Sequence, residues 1–344
     1  MISVPTVSVI VCTYKRGAAI GKTLNSILDQ SFDDFELIVI DDASGDDTYD
    51  IIKSYTDPRV RAVQNETNLN VAGSRNHGLD LARGHYVAHC DHDDWWDHRK
   101  LERQIDCLER DRSLGLLATA VYYVGSDGRQ KLEPIDANST SYFYRWLLFV
   151  RSCFLHSSII VRADLLKQYG FRYRRDLQFA DDWEFYHRVA SVAPVWQLPE
   201  RLTYYNLHGE NWSFVAQDLM RSNGEKFLPE YISRLIGHAV APESMAEYFN
   251  SVVYGHSCQD VHSLRRVGRL IKDIASGFFD RYETSPLDRV AIQNGAATEW
   301  WRVVRASAIR LGPRIMKVYY EDGMPSWRRP PLSSVATGVA RAIL

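Results

Sequence analysis

The chain has 344 residues, 45% hydrophobic and 24% charged, with a formal net charge of −2. This is the composition of a soluble globular protein, long enough for one large domain or two ordinary ones with ample core. It argues against a general nucleic-acid binder, and the most apolar window, residues 146–161, is interrupted by Arg151 and His156 and is too short to span a bilayer.

The N-terminal segment MISVPTVSVIVCTYKR lacks a basic leader and a cleavage site, so it reads as the approach to a first strand and not as a signal peptide. Residues 7–11 are an apolar, β-branched run, a buried strand ending at a loop over 13–17. Ile20, Leu24, Ile27 and Leu28 set a helical face over 18–28. A second buried strand, 35–40, runs into DDASGDD, and a helix over 48–55 and a third strand near 60–64 follow. A further helix lies within 68–84, with Ala72, Leu79, Leu81 and Ala82 at its apolar positions. Strand, loop and helix in this order predict an α/β fold whose mostly parallel sheet is covered by helices on both faces.

Residues 84–101, GHYVAHCDHDDWWDHRKL, organise the rest. A short apolar run at 86–88 reads as a buried strand, and it breaks into Asp91, Asp93 and Asp94 before a helix after Trp96. Carboxylates this close repel one another unless they share a cation or accept backbone N–H bonds. At the end of a parallel strand they stand where α/β sheets bind ligands. The structural alternative is an acidic turn that caps the next helix. An EF-hand loop is excluded because Trp96 stands where that loop needs glycine. His85, His89 and His92 have helical zinc-site spacing, but His85 and His89 flank a strand-like run, which disfavours a zinc site.

The second half is less regular. Residues 114–124 and 157–161 read as strands, 125–128 as a turn, 180–189 as a helix and 202–207 as extended. Beyond about residue 214 the pattern is helical, with a loose linker at 325–334 before a short terminal helix. From Gly255 onward there are 14 Lys and Arg against 8 Asp and Glu, and Trp300-Trp301-Arg302-Val303-Val304-Arg305 sets aromatic and basic residues side by side. That composition fits a peripheral helix on anionic lipid, or a helical subdomain with a solvated basic face. Five cysteines form no CxxC pair and read as reduced thiols of a cytoplasmic protein.

Neither GxxxxGK[ST] nor a GxGxxG after the first strand is present, so a bound nucleotide must be held through carboxylates and a metal. Four separated elements fit that demand: VSVIVCTYKR, VIDDASGDDT, NLNVAGSRNHGLDLARGHYV and DHDD. Together they resemble the family 2 glycosyltransferases, from about residue 7 to residue 213. The resemblance implies the GT-A fold, with a Rossmann-like sheet, over 1–213 (nucleotide-donor half 1–115, acceptor half 116–213), followed by a C-terminal helical region, 214–344. It implies an inverting, metal-dependent enzyme that moves a sugar from a nucleotide-diphosphate donor, UDP before dTDP or GDP, to a hydroxyl of a glycan or lipid-linked acceptor in surface polysaccharide assembly. The cytoplasmic side of the membrane would be its place of work.

Carried over residue by residue, the resemblance implies that Thr13 lines the nucleotide pocket and Asp42 contacts the uracil. Arg75 lies near the donor behind the acidic loop, and Asp91 contacts ribose or the hydrated metal. Asp93 would bind Mn²⁺ or Mg²⁺ directly, and His208, in YNLHGENWS, would complete the metal or diphosphate shell. Asp182, in Asp181-Asp182-Trp183, would be the general base, with Trp183 and His156 on the acceptor side. Each has a structural alternative: a turn or N-cap aspartate for Asp42 and Asp182, a surface arginine for Arg75, a core tryptophan for Trp183, a turn histidine for His208. Cys12 stands where the family usually has Pro, Asn70 where it usually has Gly, and Asp181 where it usually has Glu. Asn tolerates the left-handed backbone that Gly adopts. A sugar-1-phosphate nucleotidyltransferase would need a Gly-rich, basic signature after the first strand, which CTYKRGAAIG lacks, and a non-catalytic glycan-binding relative would have lost Asp93 or Asp182.

Overall fold

The structure, a computed structural model, describes residues 4–133, 139–209, 211 and 215–321. The described chain forms two compact units, Met1–Ala137 with Phe154–Asn223 and Asn138–Cys153 with Gly224–Leu344. The terminal helix expected after 325–334 lies outside the described residues.

The first unit opens with β1 (Val7–Thr13), α1 (Gly17–Leu28), β2 (Phe35–Asp41), α2 (Thr48–Lys53), β3 (Val60–Gln64), α3 (Asn70–Leu81) and β4 (Tyr86–Asp91). Every residue of β2 is buried, as are all but one of β1 and of β4, because helices cover both faces of the sheet. β3, β2, β1 and β4 lie side by side and parallel. The chain therefore steps outward from β1 to β3 and returns through α3 to the other side of β1. That reversal opens a crevice at the carboxyl ends of β1, β2 and β4.

Past β4 come β5 (Trp95–Trp96), α4 (Lys100–Arg110), β6 (Leu116–Gly125), β7 (Gln130–Leu132), β8 (Ile160–Arg162), α6 (Ala163–Tyr169), α7 (Asp181–Val192) and β9 (Val195–Leu207). α5 (Ser141–Leu147) falls between β7 and β8 in sequence but belongs to the second unit. β8 runs antiparallel to both β4 and β6, and β9 is parallel to β6. Two reversals restore direction, so the carboxyl ends of β6 and β9 face the same edge of the sheet as those of β1, β2 and β4. β9 is longer than its expected extended stretch. Its register slips between the pairs Thr119–Leu198 and Ala120–Arg201, which leaves Pro199 and Glu200 in a bulge that tolerates a proline.

The second unit contains α5, the part of α8 (Gln217–Ile236) from Gly224 onward, α9 (Pro242–Tyr248), α10 (Val261–Arg281) and α11 (Pro286–Leu311). Reciprocal capping boxes, Asp260 with Ser263 and Ser285 with Asp288, open α10 and α11. A Cβ at Gly268 would lie 2.8 Å from the Trp300 ring, and one at Gly295 would lie 2.6 Å from Trp146, so glycines admit the bulky rings between helices. Trp300 is fully buried and Trp301 is 8% exposed, its ring edge-on to Tyr319. Arg302 bonds Glu299 at 2.8 Å and the Val252 carbonyl. The two tryptophans of this segment are thus packed core rather than a face for lipid, and they lend the membrane-contact expectation no support. Among the described residues no helix is long and apolar enough to cross a membrane, and all five cysteines are free thiols.

Two substitutions test this packing. A Cβ at Gly84 would fall 2.5 Å from the Ser8 backbone nitrogen, so Gly84→Ala should lower unfolding free energy by about 1–3 kcal/mol in a denaturant titration. Trp300→Ala should cost about 3–5 kcal/mol and leave sedimentation with anionic vesicles unchanged; a lipid-inserted tryptophan would give the reverse pattern.

Candidate active site

At the end of β2 the two aspartates turn opposite ways. Asp41 serves the turn: its Oδ2 accepts from Gln64 Nε2 at 2.9 Å and Ser44 N at 3.3 Å, and its Oδ1 accepts from the Ser44 hydroxyl. Ala43, at φ 58°, follows the pair in the left-handed backbone region as the chain turns away. The Asp42 amide donates to the Thr13 carbonyl at 2.9 Å, which joins the ends of β1 and β2. Asp42 Oδ1 accepts from Asn65 Nδ2 at 2.7 Å and Leu69 N at 2.8 Å. The Thr13 hydroxyl beside it is buried with no partner among the described residues. Such an orphan is a place for a ligand group.

The loop from β4 to β5 divides its carboxylates among three tasks. Asp94 is fully buried, accepting from Asn206 N at 3.0 Å and from the Ser157 hydroxyl. Burial, reinforced by Asp93 and Asp91, pushes its pKa well above the carboxylate range. Asp94 therefore anchors the loop to β9 and to the turn before β8, a role that sequence reading missed although DHDD displays the third carboxylate. Asp91 accepts from Arg75 Nη2 at 3.2 Å. Asp93 Oδ2 lies 2.8 Å from His208 Nε2, and both side chains stay partly exposed. His208 reaches it because β9 ends beside β4's loop and because Asn211 Oδ1 accepts from the His208 amide at 2.6 Å. Asp93 and His208, expected as metal ligands, are brought together.

Among the described residues no group of three or more His, Cys, Asp or Glu could cage a metal ion. A carboxylate and an imidazole nonetheless suit a hard divalent ion that takes its other ligands from phosphate oxygens and water. The donor set fits Mn²⁺ or Mg²⁺ bound jointly with a diphosphate.

The third cluster centres on Arg75, 8% exposed on α3. A Cβ at Gly78 would meet Ile10 at 2.5 Å, so α3 rides close on β1 and carries Arg75 beneath the crevice. Its Nη1 donates to Asp181 Oδ2 at 2.9 Å while Nη2 holds Asp91. Arg75 is thus no surface arginine. Asp181 and Asp182 lie in the first turn of α7, where the helix dipole favours carboxylates; the cap itself is Ala180. Phe179, at φ 66°, sets the approach. A bulky residue held left-handed is strain of the kind found at functional sites. Burial first, then Asp181, raises the Asp182 carboxyl to about 7, with Arg75 opposing. Asp181 is likewise pushed up by burial and pulled down by Arg75.

Trp183 and His156, expected on the acceptor side, are both buried, 6% and 4% exposed. His156 Nδ1 lies 3.1 Å from the Tyr186 hydroxyl and its ring 4.6 Å from His89. Burial holds His156 well below its ordinary pKa and takes His89 down to about 3, so both rings are neutral. The apolar run on either side of His156 signalled this burial.

The sequence pattern of Glycosyl transferase family 2 matches residues 8–170. The EpsE protein of Bacillus subtilis is 34% identical over 193 residues, 53% of this chain and 67% of its own length. The Escherichia coli UDP-Glc:alpha-D-GlcNAc-diphosphoundecaprenol beta-1,3-glucosyltransferase WfaP is 36% identical over 121 residues, 35% of this chain; the match spans about half of WfaP, 47%. Among solved structures, S. aureus TarS in complex with UDP-GlcNAc superposes with a TM-score of 0.56 at 20% identity, covering 94% of this chain and 89% of that one. That likeness shows the fold, a mixed α/β sheet of GT-A type with additional C-terminal helices. The chain belongs to glycosyl transferase family 2 and is a glycosyltransferase.

Proposed function

We propose that the protein transfers a sugar, with inversion, from a UDP-sugar to a hydroxyl of a glycan or lipid-linked acceptor during polysaccharide assembly on the cytoplasmic side of the membrane. The observation that carries this reading is the Arg75 fork, which ties Asp91 of the acidic loop to Asp181, the neighbour of Asp182. One buried cation thereby joins the donor carboxylates to the candidate base. Support for the donor and the pathway comes from WfaP and the TarS complex, whose names specify UDP-Glc and UDP-GlcNAc.

In this mechanism Thr13 and Asp42 receive the nucleobase and Asp91 the ribose, and Asp93 with His208 would hold Mn²⁺ or Mg²⁺, which when bound would supply positive charge to offset that of the leaving diphosphate. Asp182 accepts the proton of the acceptor hydroxyl as its oxygen forms the bond to C1, opposite the C1–O bond that breaks. A base near neutrality serves this step, since it is ionised at working pH yet still binds a proton well.

Release of nucleoside diphosphate from a panel of UDP-, GDP- and dTDP-sugars tests the assignment. One UDP-sugar should be turned over with Mn²⁺ and not with EDTA, and Asp93→Ala should lower the rate by at least about 100-fold. Asp182→Asn should lower it about 10²–10⁴-fold while nucleotide affinity holds. The raised pKa of Asp182 has a definite sign: activity needs the deprotonated base, so the rate should climb about tenfold per pH unit below pH ~7 and level off above it. A rate independent of pH from 5 to 8 would remove Asp182 from this role.

A further inference from the structure

The oxygen that Asp42 offers is oriented from behind. Oδ1 is occupied by Leu69 N and Asn65 Nδ2, while Oδ2 has no partner among the described residues. A carboxylate only accepts, so the Asn65 amide must turn Nδ2 toward it. Nδ2 also reaches Ser74 Oγ at 2.9 Å, and the amide Oδ1 is left facing His77 Nδ1 at 2.6 Å. An amide oxygen accepts, so His77 must carry hydrogen on Nδ1. Neutral and protonated imidazole can both supply it. Asn65 is 5% exposed and cannot exchange these partners for water. His77 is half-buried and, with Asn65, Gln64 and Asn76, lines a cavity of about 670 Å³ on the outer side of α3.

We propose that Asn65 and His77 are positioning residues that select the nucleobase: His77 fixes the Asn65 amide, which pins Asp42 Oδ1 and leaves Oδ2 to accept the N3–H of uracil. The inference rests on the reading of Asp42 as the base acceptor. It extends that reading to two residues which touch no substrate. Cytosine presents a bare ring nitrogen where uracil carries N–H, so a pinned carboxylate oxygen favours UDP over CDP, and a freely rotating one discriminates less.

The test is calorimetric titration of the full chain with UDP, CDP and inorganic pyrophosphate in Mn²⁺. The parent should prefer UDP over CDP at least about tenfold. His77→Leu should lose about five- to tenfold in UDP affinity, with CDP and pyrophosphate within about twofold of the parent. His77→Gln, whose side-chain amide can donate, should recover most of the loss. Asn65→Ala, checked for folding by circular dichroism, should narrow the UDP-to-CDP ratio in the same way. A His77→Leu protein that keeps the parent's ratio, or that weakens all three ligands equally, overturns the positioning role alone. A parent that binds pyrophosphate but does not distinguish UDP from CDP overturns the reading of Asp42 itself.

Discussion

A buried guanidinium has to be met by carboxylates, and Arg75 is where this protein meets that demand. Removing one partner of a buried ion pair costs about 3–5 kcal/mol, because it leaves a charge without solvent or partner. Arg75 therefore draws β4 through Asp91 and α7 through Asp181, segments far apart in sequence, into fixed relation. Asn76, the next residue of α3, holds the Tyr173 backbone from both sides, accepting from its N–H and donating to its carbonyl at 2.8 Å each. The crevice walls are thus set by polar groups emerging from one helix turn.

Beneath this charge lies a neutral polar layer. The Tyr173 hydroxyl stands 3.1 Å from His89 Nε2, its ring stacks 4.3 Å from Phe185, and Arg75 lies 5.5 Å above it. Histidines in this position remain uncharged because a second buried cation beside Arg75 would have no counter-ion. Lys100, buried under Trp96 and bonded to Gln104, is likewise driven down to about 7 by loss of solvent. The acidic loop thus rests on groups that neutralise readily, and its carboxylates dominate the local field.

How much of this was legible follows from the kind of signal each residue gives. β1, β2 and β4 announced themselves because strands buried on both faces read as largely apolar runs, and α1 because its apolar stripe has a clear period. Asp93 and His208 were found through their surrounding motifs, and the fold brings them together across 115 positions. α5 and α6 were missed: a seven-residue helix is too short to show a period. Asn65 and His77 were invisible because their importance is a chain of hydrogen bonds, and donor-acceptor geometry leaves no trace in composition. Trp300 and Trp301 misled for a related reason. Tryptophan beside arginine describes a lipid-facing helix and a buried one equally well until the glycines opposite are located.

The membership of residues 138–153 in the helical unit bears on how the molecule can be divided. Trp146 and Leu148 are fully buried, and the Phe149 carbonyl accepts from the Tyr248 hydroxyl at 3.1 Å. A fragment ending near residue 213, where composition changes, would keep this apolar helix and discard the helices that bury it. Such a fragment would carry a sticky segment in the middle of its chain and would aggregate through it. In chain order, one segment of the helical unit, Asn138–Cys153, interrupts the glycosyltransferase unit instead of following it.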